Sequence, residues 1–304
     1  MSPGDGSAGA DARARREEGR RHAEAEARKE RENNPALMAA YLEKKKQELE
    51  DERKAQTIKR KFVIQRGSDD DELRMEAFDV DVEPGMVVLD AIHRIQSTEA
   101  PDLAVRWNCK AGKCGSCSAE INGHPGLTCM TRISDFPEDE PITVQPMKTF
   151  PVIKDLVSDV SWNYEVNKRI TPHQHTKDSD PRMFQEEVDR VQEFRKCIEC
   201  FLCQDVCHVL RDHELKDEFA GPRFMVRLAG LEMNPLDEGD RLSDIREKHG
   251  VGLCNITKCC TTVCPENITI TDNAIIPLKE RVVDEYYDPL KWIWNKTIGK
   301  NFEV

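Results

Sequence analysis

The sequence predicts an α+β protein in which a small mixed sheet with one helix is followed by an all-helical region. Three observations predict this architecture: strand-like alternation around one helical segment before residue 150, short helical segments after Pro151, and twelve cysteines that fall into three groups. We expect residues 1–59 to be a charged extension, residues 60–150 the sheet domain and residues 151–304 the helical domain, because a chain of this length forms about two domains.

The extension is rich in Ala, Glu, Arg and Gly. Residues 1–34 show no apolar periodicity, so we expect them to be disordered or loosely helical, since they cannot bury enough apolar surface to offset the entropy of ordering. Residues 35–56 carry apolar residues at helical spacing and predict one amphipathic helix. Contact with a partner and a solvated charged arm both stay open as interpretations of this helix.

The sheet domain is predicted from four strand-like segments and one helix. The strand-like segments are residues 61–64, 73–77, 119–121 and 142–144. The first two form a hairpin around a polar turn. The helix follows Pro84 and Gly85, and its apolar residues at helical spacing are Val88, Leu89, Ile92 and Ile95.

The first cysteine group lies inside this domain and has gaps of four, two and eleven residues. Its members are Cys109, Cys114, Cys117 and Cys129. This is the plant-type pattern, in which a tight loop encloses a 2Fe-2S cluster and one distant thiolate completes the ligand set. Gly112 and Gly115 allow the backbone of the loop to approach a cluster closely, because they lack a Cβ atom.

The helical region is predicted from caps and apolar faces. Asp180 can cap a helix with Pro181 at its first position. Phe184, Val188 and Val191 then form one face, and the helix ends directly before Cys197. Two further helices are expected, one opened by Gly221 and Pro222 and one over residues 275–283.

The second and third cysteine groups lie between these helices. The second is a bacterial-type run with the spacing C-x2-C-x2-C-x3-C, whose fourth cysteine ligates the other cluster of a pair. The third group ends in Cys264-Pro265. Because the fourth cysteine of a run binds the other cluster of the pair, the spacing predicts one set of ligands for a 4Fe-4S cluster and a second set for the other cluster. These sets are Cys197, Cys200, Cys203 with Cys264, and Cys207 with Cys254 and Cys260.

The last set lacks one thiolate, because Thr257 stands where a bacterial-type run has its second cysteine. A hydroxyl is a poor ligand for iron beside soft thiolates, so we expect a 3Fe-4S cluster with one empty corner. Cys259 is a competing fourth ligand if the loop bends. Ligation of two such clusters would supply much of the folding energy of the helical domain.

Disulfides and structural zinc are two other uses of cysteine. Two observations argue against disulfides. Adjacent cysteines such as Cys259 and Cys260 have poor geometry for a disulfide bond, and the N-terminus lacks an apolar export signal. Zinc sites typically take two separate CxxC pairs, which a run of four thiols does not provide. A net charge of −12 indicates a hydrated surface without a basic nucleic-acid face, and we expect a cytoplasmic protein without a transmembrane helix.

Taken together, the cysteine groups, the segment from Pro146 to Val157 and the dipeptide Gly221-Pro222 resemble the iron-sulfur subunit of succinate dehydrogenase and fumarate reductase. The resemblance covers about residues 60–285. It implies an N-terminal β-grasp ferredoxin domain and a C-terminal α-helical ferredoxin domain. It also implies a flavoprotein partner that oxidises succinate at FAD and a membrane anchor that binds quinone, with the chain at the cytoplasmic face of the membrane. No residue of this chain would act on succinate.

The part of the chain that the resemblance places nearest the quinone departs from the family pattern. Many members have proline, tryptophan and histidine where this chain has His208, Asp212 and Asn255. We hypothesise that His208 lies near a menaquinone-type site, because imidazole can donate a hydrogen bond or a proton. An exposed loop histidine is the alternative. Two rival functions are an electron-transfer subunit of another quinone- or thiol-linked reductase, and a zinc-stabilised interaction module.

Overall fold

A computed structural model describes residues 24, 25, 27–29, 32–68, 71–175 and 182–289. The chain divides into two compact units, Met1–Ile58 and Lys59–Val304. Most of residues 1–34, for which disorder or loose helix is predicted, lie outside the described residues. Those of residues 24–33 that are described are helical.

The first unit contains helix α1, Pro35–Ala55, as the apolar spacing predicts. Asn34 caps it, since its side-chain oxygen accepts the N–H groups of Ala36 at 3.1 Å and Leu37 at 3.3 Å. Leu42 and Leu49 are each 58% exposed, so the helix keeps apolar surface in contact with solvent. Contact of this helix with a partner stays a prediction.

The second unit begins with a five-stranded sheet in the order β2-β1-β5-β3-β4. The strands are β1 (Ile58–Arg66), β2 (Arg74–Val82), β3 (Ser118–Ile121), β4 (His124–Leu127) and β5 (Ile142–Gln145). Strands β1 and β5 run parallel, with Phe62 opposite Ile142, while β3 runs antiparallel to both of its neighbours. Helix α2, Val88–Thr98, connects the hairpin to the cysteine loop.

Alternation places one face of this sheet in the core. Phe62 and Ile64 of β1 are fully buried, and they pack with Ile92 and Ile95 of α2. Helix α2 is held at its start by Asp90, whose carboxylate accepts the N–H of Val87 at 3.1 Å. The predicted hairpin, helix and two later strands are therefore present, and the sheet has the mixed character expected.

Strand β4 is absent from the sequence-based prediction. It contains Pro125 and Gly126, which normally argue against a strand, but β4 lies at the edge of the sheet, where a missing N–H is tolerated. Asn122 and Gly123 both have positive φ and form the tight turn that joins β3 to β4.

The connecting segment forms a two-stranded ribbon of β6 (Val152–Lys154) and β7 (Val157–Ser158). Asp155 is buried between these strands and pairs with Arg66 at 3.0 Å. Its carboxylate also accepts the N–H groups of Gly67 at 2.9 Å and Ala104 at 2.8 Å. The ribbon is thereby fixed to the sheet, and Leu156 joins the core of the sheet.

The remainder is helical. Its helices are α3 (Ser161–Lys168), α4 (Gln185–Gln192), α5 (Leu202–Asp205), α6 (His208–Arg211), α7 (Pro222–Glu232), α8 (Leu242–Glu247), α9 (Cys259–Thr262) and α10 (Ile276–Tyr286). A wide π-helical turn, Ile270–Ile275, precedes α10. Helix α7 begins at Pro222 and α10 nearly coincides with the predicted segment. Within the described ranges, no helix combines the length and the apolar character needed to cross a membrane.

Helix α4 begins later than predicted. Asp180 and Pro181, the predicted start, lie outside the described residues, and the helix starts at Gln185. Glu187 provides the cap instead, because its carboxylate accepts the N–H of Phe184 at 2.8 Å. The sequence predicts Phe184 on the apolar face of this helix. That prediction is wrong, because Phe184 lies before the helix and is 80% exposed.

A fully buried glutamate connects the sheet to the helices. Glu120 of β3 forms ion pairs with Lys148 at 2.9 Å and with Arg211 of α6 at 3.0 Å. A buried carboxylate is costly without such partners. Since one partner lies in the connecting segment and the other in the helical region, this network joins the two parts of the second unit.

Candidate functional site

The first cysteine loop runs from Cys109 to Cys117, between α2 and β3. Lys110, Gly112 and Gly115 all have positive φ, which curls the loop back on itself. The N–H groups of Ala111 and Lys113 point at the sulfur of Cys109, at 3.4 and 3.3 Å. Backbone amides that face a thiolate in this way stabilise its negative charge.

The four thiols of this group interact with one another. Burial disfavours the thiolate of Cys114, but hydrogen bonds from Ser116 and from Cys109 outweigh it and lower the pKa of Cys114 to about 6. Burial, together with the neighbouring Cys117, raises the pKa of Cys129 to about 11. The loop and the distant Cys129 thus form one group, in which metal binding would offset the mutual repulsion of the thiolates.

The second set of thiols lines one cavity. Cys197, Cys200, Cys203 and Cys264 all face it. The rest of its wall is mainly apolar, with side chains that include Phe201, Val226, Ile268 and Ile270. Burial raises the pKa of Cys200 to about 12 and that of Cys203 well above its ordinary value. Four thiols around one space, two of them buried and two half-buried, fit a cube-shaped cluster whose irons neutralise the thiolates.

The third set is centred on Cys207, Cys254 and Cys260. Burial raises the pKa of Cys207 to about 12 and that of Cys260 to about 11, and the other thiols of the set act in the same direction. The hydroxyl of Thr271 lies 3.5 Å from the sulfur of Cys260.

No three Cys, His, Asp or Glu side chains in the described ranges converge closely enough to hold a single metal ion.

The second and third loops have the same backbone conformation. Positive φ occurs at Glu199 (56°) and Phe201 (62°) in one loop, and at Ile256 (62°) and Lys258 (64°) in the other. Each loop leads directly into a short helix, α5 or α9. Four non-glycine residues in this costly conformation, at matching positions, indicate that both loops are shaped to the same purpose.

This internal repeat aligns the two loops residue by residue. Thr257 occupies the place of Cys200, as the sequence spacing predicts. Cys259 occupies the place of Leu202, the first residue of its short helix, which is not a ligand position. The hydroxyl of Thr257 nevertheless lies 3.3 Å from the half-buried sulfur of Cys259, so this thiol is next to the corner that lacks a cysteine.

The first and second cysteine loops are in direct contact, and the second and third sets share segments of the chain. Ser118, next to Cys117, donates a hydrogen bond to the carbonyl of Cys200 at 2.8 Å. Gly115 approaches the Cys200 backbone so closely that an added Cβ would lie 2.7 Å from its Cα atom. Cys203 and Cys207 share one short segment around α5, while Cys260 and Cys264 share another, so each segment serves both helical sets.

Two features escaped prediction from the sequence. His208 is predicted as a site residue, but its partner is not: its ring Nε2 lies 2.9 Å from the side-chain oxygen of Asn255. Arg223, which sequence reasoning missed, is 5% exposed and lines the cavity of the second set. Its position directly after Gly221-Pro222 is the only sequence signal that could have pointed to it.

Comparisons with known protein families agree with this arrangement. A family described as "2Fe-2S iron-sulfur cluster binding domain" matches residues 61–165, and one described as "4Fe-4S dicluster domain" matches residues 193–268. A chain in the structure of the Mycobacterium smegmatis Sdh1 complex in the apo form is 60% identical, with a TM-score of 0.75. The similarity covers 77% of this chain and 99% of that one.

Curated relatives are more distant. The fumarate reductase iron-sulfur subunit of Mycobacterium tuberculosis is 31% identical over 64% of this chain and 80% of its own length. The corresponding subunit of Wolinella succinogenes is 31% identical over 68% and 89%. A subunit of the fumarate reductase (CoM/CoB) of Methanothermobacter marburgensis is also 31% identical, over 73% of this chain, but the chain spans only 43% of its length.

Proposed function

This chain belongs to the family of iron-sulfur subunits of succinate dehydrogenase and fumarate reductase, and from this premise we propose that it relays electrons between the FAD of a flavoprotein subunit and a membrane quinone. It is the electron-transfer subunit of such an oxidoreductase complex and binds 2Fe-2S, 4Fe-4S and 3Fe-4S clusters. We infer that succinate chemistry belongs to the flavoprotein partner. Attachment to the cytoplasmic face of the membrane would come from anchor subunits.

We assign one ligand set to each cluster. The sets are Cys109, Cys114, Cys117 and Cys129 for 2Fe-2S, Cys197, Cys200, Cys203 and Cys264 for 4Fe-4S, and Cys207, Cys254 and Cys260 for 3Fe-4S. The convergence of the four middle thiols on one cavity supports this assignment. So does the repeat of the loop conformation, in which Thr257 takes the place of a cysteine.

One observation carries the proposal of a relay: the first and second cysteine loops touch through their backbones. The contact of Gly115 with Cys200 leaves no room for an intervening side chain. When bound, the clusters supply one-electron redox chemistry. The residues of the chain keep the ligand loops in fixed contact and bury six of the twelve thiols away from water.

The third set is the proposed quinone end. Near it, Leu253 is 38% and Ile256 39% exposed, which leaves an apolar surface beside the His208–Asn255 pair. Because Asn255 can offer either its oxygen or its nitrogen, it can orient the imidazole of His208 toward a quinone carbonyl. We propose that this surface meets the anchor subunits and that the quinone is of the menaquinone type.

The complex isolated anaerobically with its flavoprotein partner tests the relay. We expect a brown preparation whose iron, acid-labile sulfide and spin-resonance signals correspond to one two-iron, one four-iron and one three-iron cluster per chain. Succinate should reduce these clusters, and added menaquinone analogue should reoxidise them. Colourless material without iron or sulfide would contradict the proposal, as would clusters that succinate leaves oxidised while a thiol substrate reduces them.

His208→Ala is expected to slow the reduction of a menaquinone analogue about three- to tenfold, the effect of losing one hydrogen bond to the quinone. Electron transfer from succinate to a water-soluble dye should not change. Steady-state rates with both acceptors measure this difference. The control is His213→Ala, an exposed histidine of the same region. Unchanged quinone reduction in the His208 variant would remove this residue from the proposal.

A further inference from the structure

A single buried arginine lies against the cavity of the second cysteine set. Arg223 is the second residue of α7, and only 5% of its surface is exposed. It forms part of the cavity wall together with the four thiols of this set. Its side chain lies over the ring of Phe224, 5.5 Å from the ring centre. Its backbone N–H donates to the side chain of Gln204 at 3.3 Å.

The guanidinium of Arg223 is only partly paired. One terminal nitrogen donates to the carboxylate of Glu199, a residue between Cys197 and Cys200. The Nε atom is buried and has no hydrogen-bond partner among the residues that the structure describes. A buried N–H without a partner is costly, so this atom indicates a missing acceptor at the cavity.

The positive charge of Arg223 outweighs that of its partner at this place. The side chain of Glu199 is 48% exposed, whereas that of Arg223 is 6% exposed, so solvent screens the carboxylate much more than the guanidinium. The cavity therefore has a net positive contribution from this side.

We propose that Arg223 raises the reduction potential of the four-iron cluster by placing a buried positive charge and an N–H donor beside it. The inference rests on the ligand set assigned in the proposed function. Reduction adds one electron, hence one negative charge, to a centre already surrounded by four thiolates. A buried cation stabilises the reduced form more than the oxidised form, and hydrogen bonds to sulfur act in the same direction.

The test is a redox titration of the intact complex, followed by the spin-resonance signal of each cluster. In Arg223→Gln, the equilibrium constant for one-electron reduction of the four-iron cluster should fall about tenfold, a shift of about 59 mV to lower potential. The two-iron and three-iron clusters should shift much less. Arg223→Lys keeps the charge and should restore most of the potential, which a merely structural role would not predict.

Two further variants keep the test decisive. Arg227→Gln removes an exposed arginine one turn later in α7. Arg227 lines a neighbouring surface cavity that Cys197 also lines, but not the cavity shared by the four thiols, and solvent screens its charge, so the potential should shift much less than in Arg223→Gln. Glu199→Gln removes the opposing charge and should raise the potential, even if Arg223→Gln fails to assemble. The inference is wrong if Arg223→Gln titrates like the parent, if Arg227→Gln shifts equally, or if Glu199→Gln lowers the potential. Because the cluster signal itself is followed, failure of quinone-linked activity would not imitate any of these results.

Discussion

Gly115→Ala is expected to destabilise the second unit by about 3 kcal/mol or more and to reduce the iron content of the purified subunit. Two costs add. The φ of Gly115 is +68°, a conformation that costs a residue with a Cβ about 1–2 kcal/mol. The new Cβ would also lie 2.7 Å from Cys200 Cα and 2.8 Å from the Ile198 carbonyl oxygen, and overpacking of this kind costs about 1–3 kcal/mol.

The backbone contact makes this variant different from an ordinary glycine substitution. The atoms that the Cβ would meet belong to the main chain of a ligand loop, so no side chain can rotate away. The loops must separate, which disturbs Cys114 and Cys200 together. We therefore expect weaker signals from both the two-iron and the four-iron cluster, along with a lower midpoint of thermal unfolding.

Gly123→Ala is the matched control. Gly123 has a similar φ of +77°, but nothing lies within 4 Å of the position of its Cβ. The Gly123→Ala variant should lose only about 1–2 kcal/mol of stability, the cost of positive φ for a residue with a Cβ, and should keep its full cluster content. Anaerobic unfolding midpoints and iron analysis of the two variants measure the difference. If both lose the same stability and iron, the contact between the two loops does not limit assembly.

Thr257→Cys is expected to change the third cluster from three irons to four. Thr257 has the position in its loop that Cys200 has in the preceding one, with the same pair of positive φ values around it. A cysteine there would present its sulfur to the corner that lacks a thiolate, and thiolate is a much better iron ligand than hydroxyl. The oxidised three-iron signal should disappear, and the iron content should rise by one atom per chain.

Cys259→Ser separates this explanation from its competitor. If Cys259 is not a ligand, as its correspondence to Leu202 indicates, the serine variant keeps the three-iron signal at full intensity. Loss of that signal in Cys259→Ser would identify Cys259 as a ligand of the third cluster. A Thr257→Cys protein that still shows the three-iron signal would contradict the alignment of the two loops.

The ligand loops could be predicted from the sequence because a cluster demands cysteines at fixed short spacings, whatever the rest of the fold does. Elements set by tertiary contacts could not. Strand β4 forms through pairing with β3, although its own composition opposes a strand. Helix α4 starts where Glu187 can cap it rather than at the proline.

The burial of charged side chains could not be predicted from the sequence either. Glu120 looks like an outward-facing residue of a short strand, and only the fold reveals that Lys148 and Arg211 meet it there. Arg223 lies among apolar neighbours in α7, where a sequence pattern cannot distinguish a residue aimed at a cavity from one that extends to solvent. Such placements depend on which elements pack together, and spacing carries no information about this.

The shared segments around α5 and α9 bear on how the protein matures. In the proposed ligand sets each segment contributes sulfur to both helical clusters, so loading of either centre would draw the two segments together and order the ligands of the other. Insertion should therefore be cooperative, with few half-filled molecules during biogenesis. A defect in either centre would then deplete both.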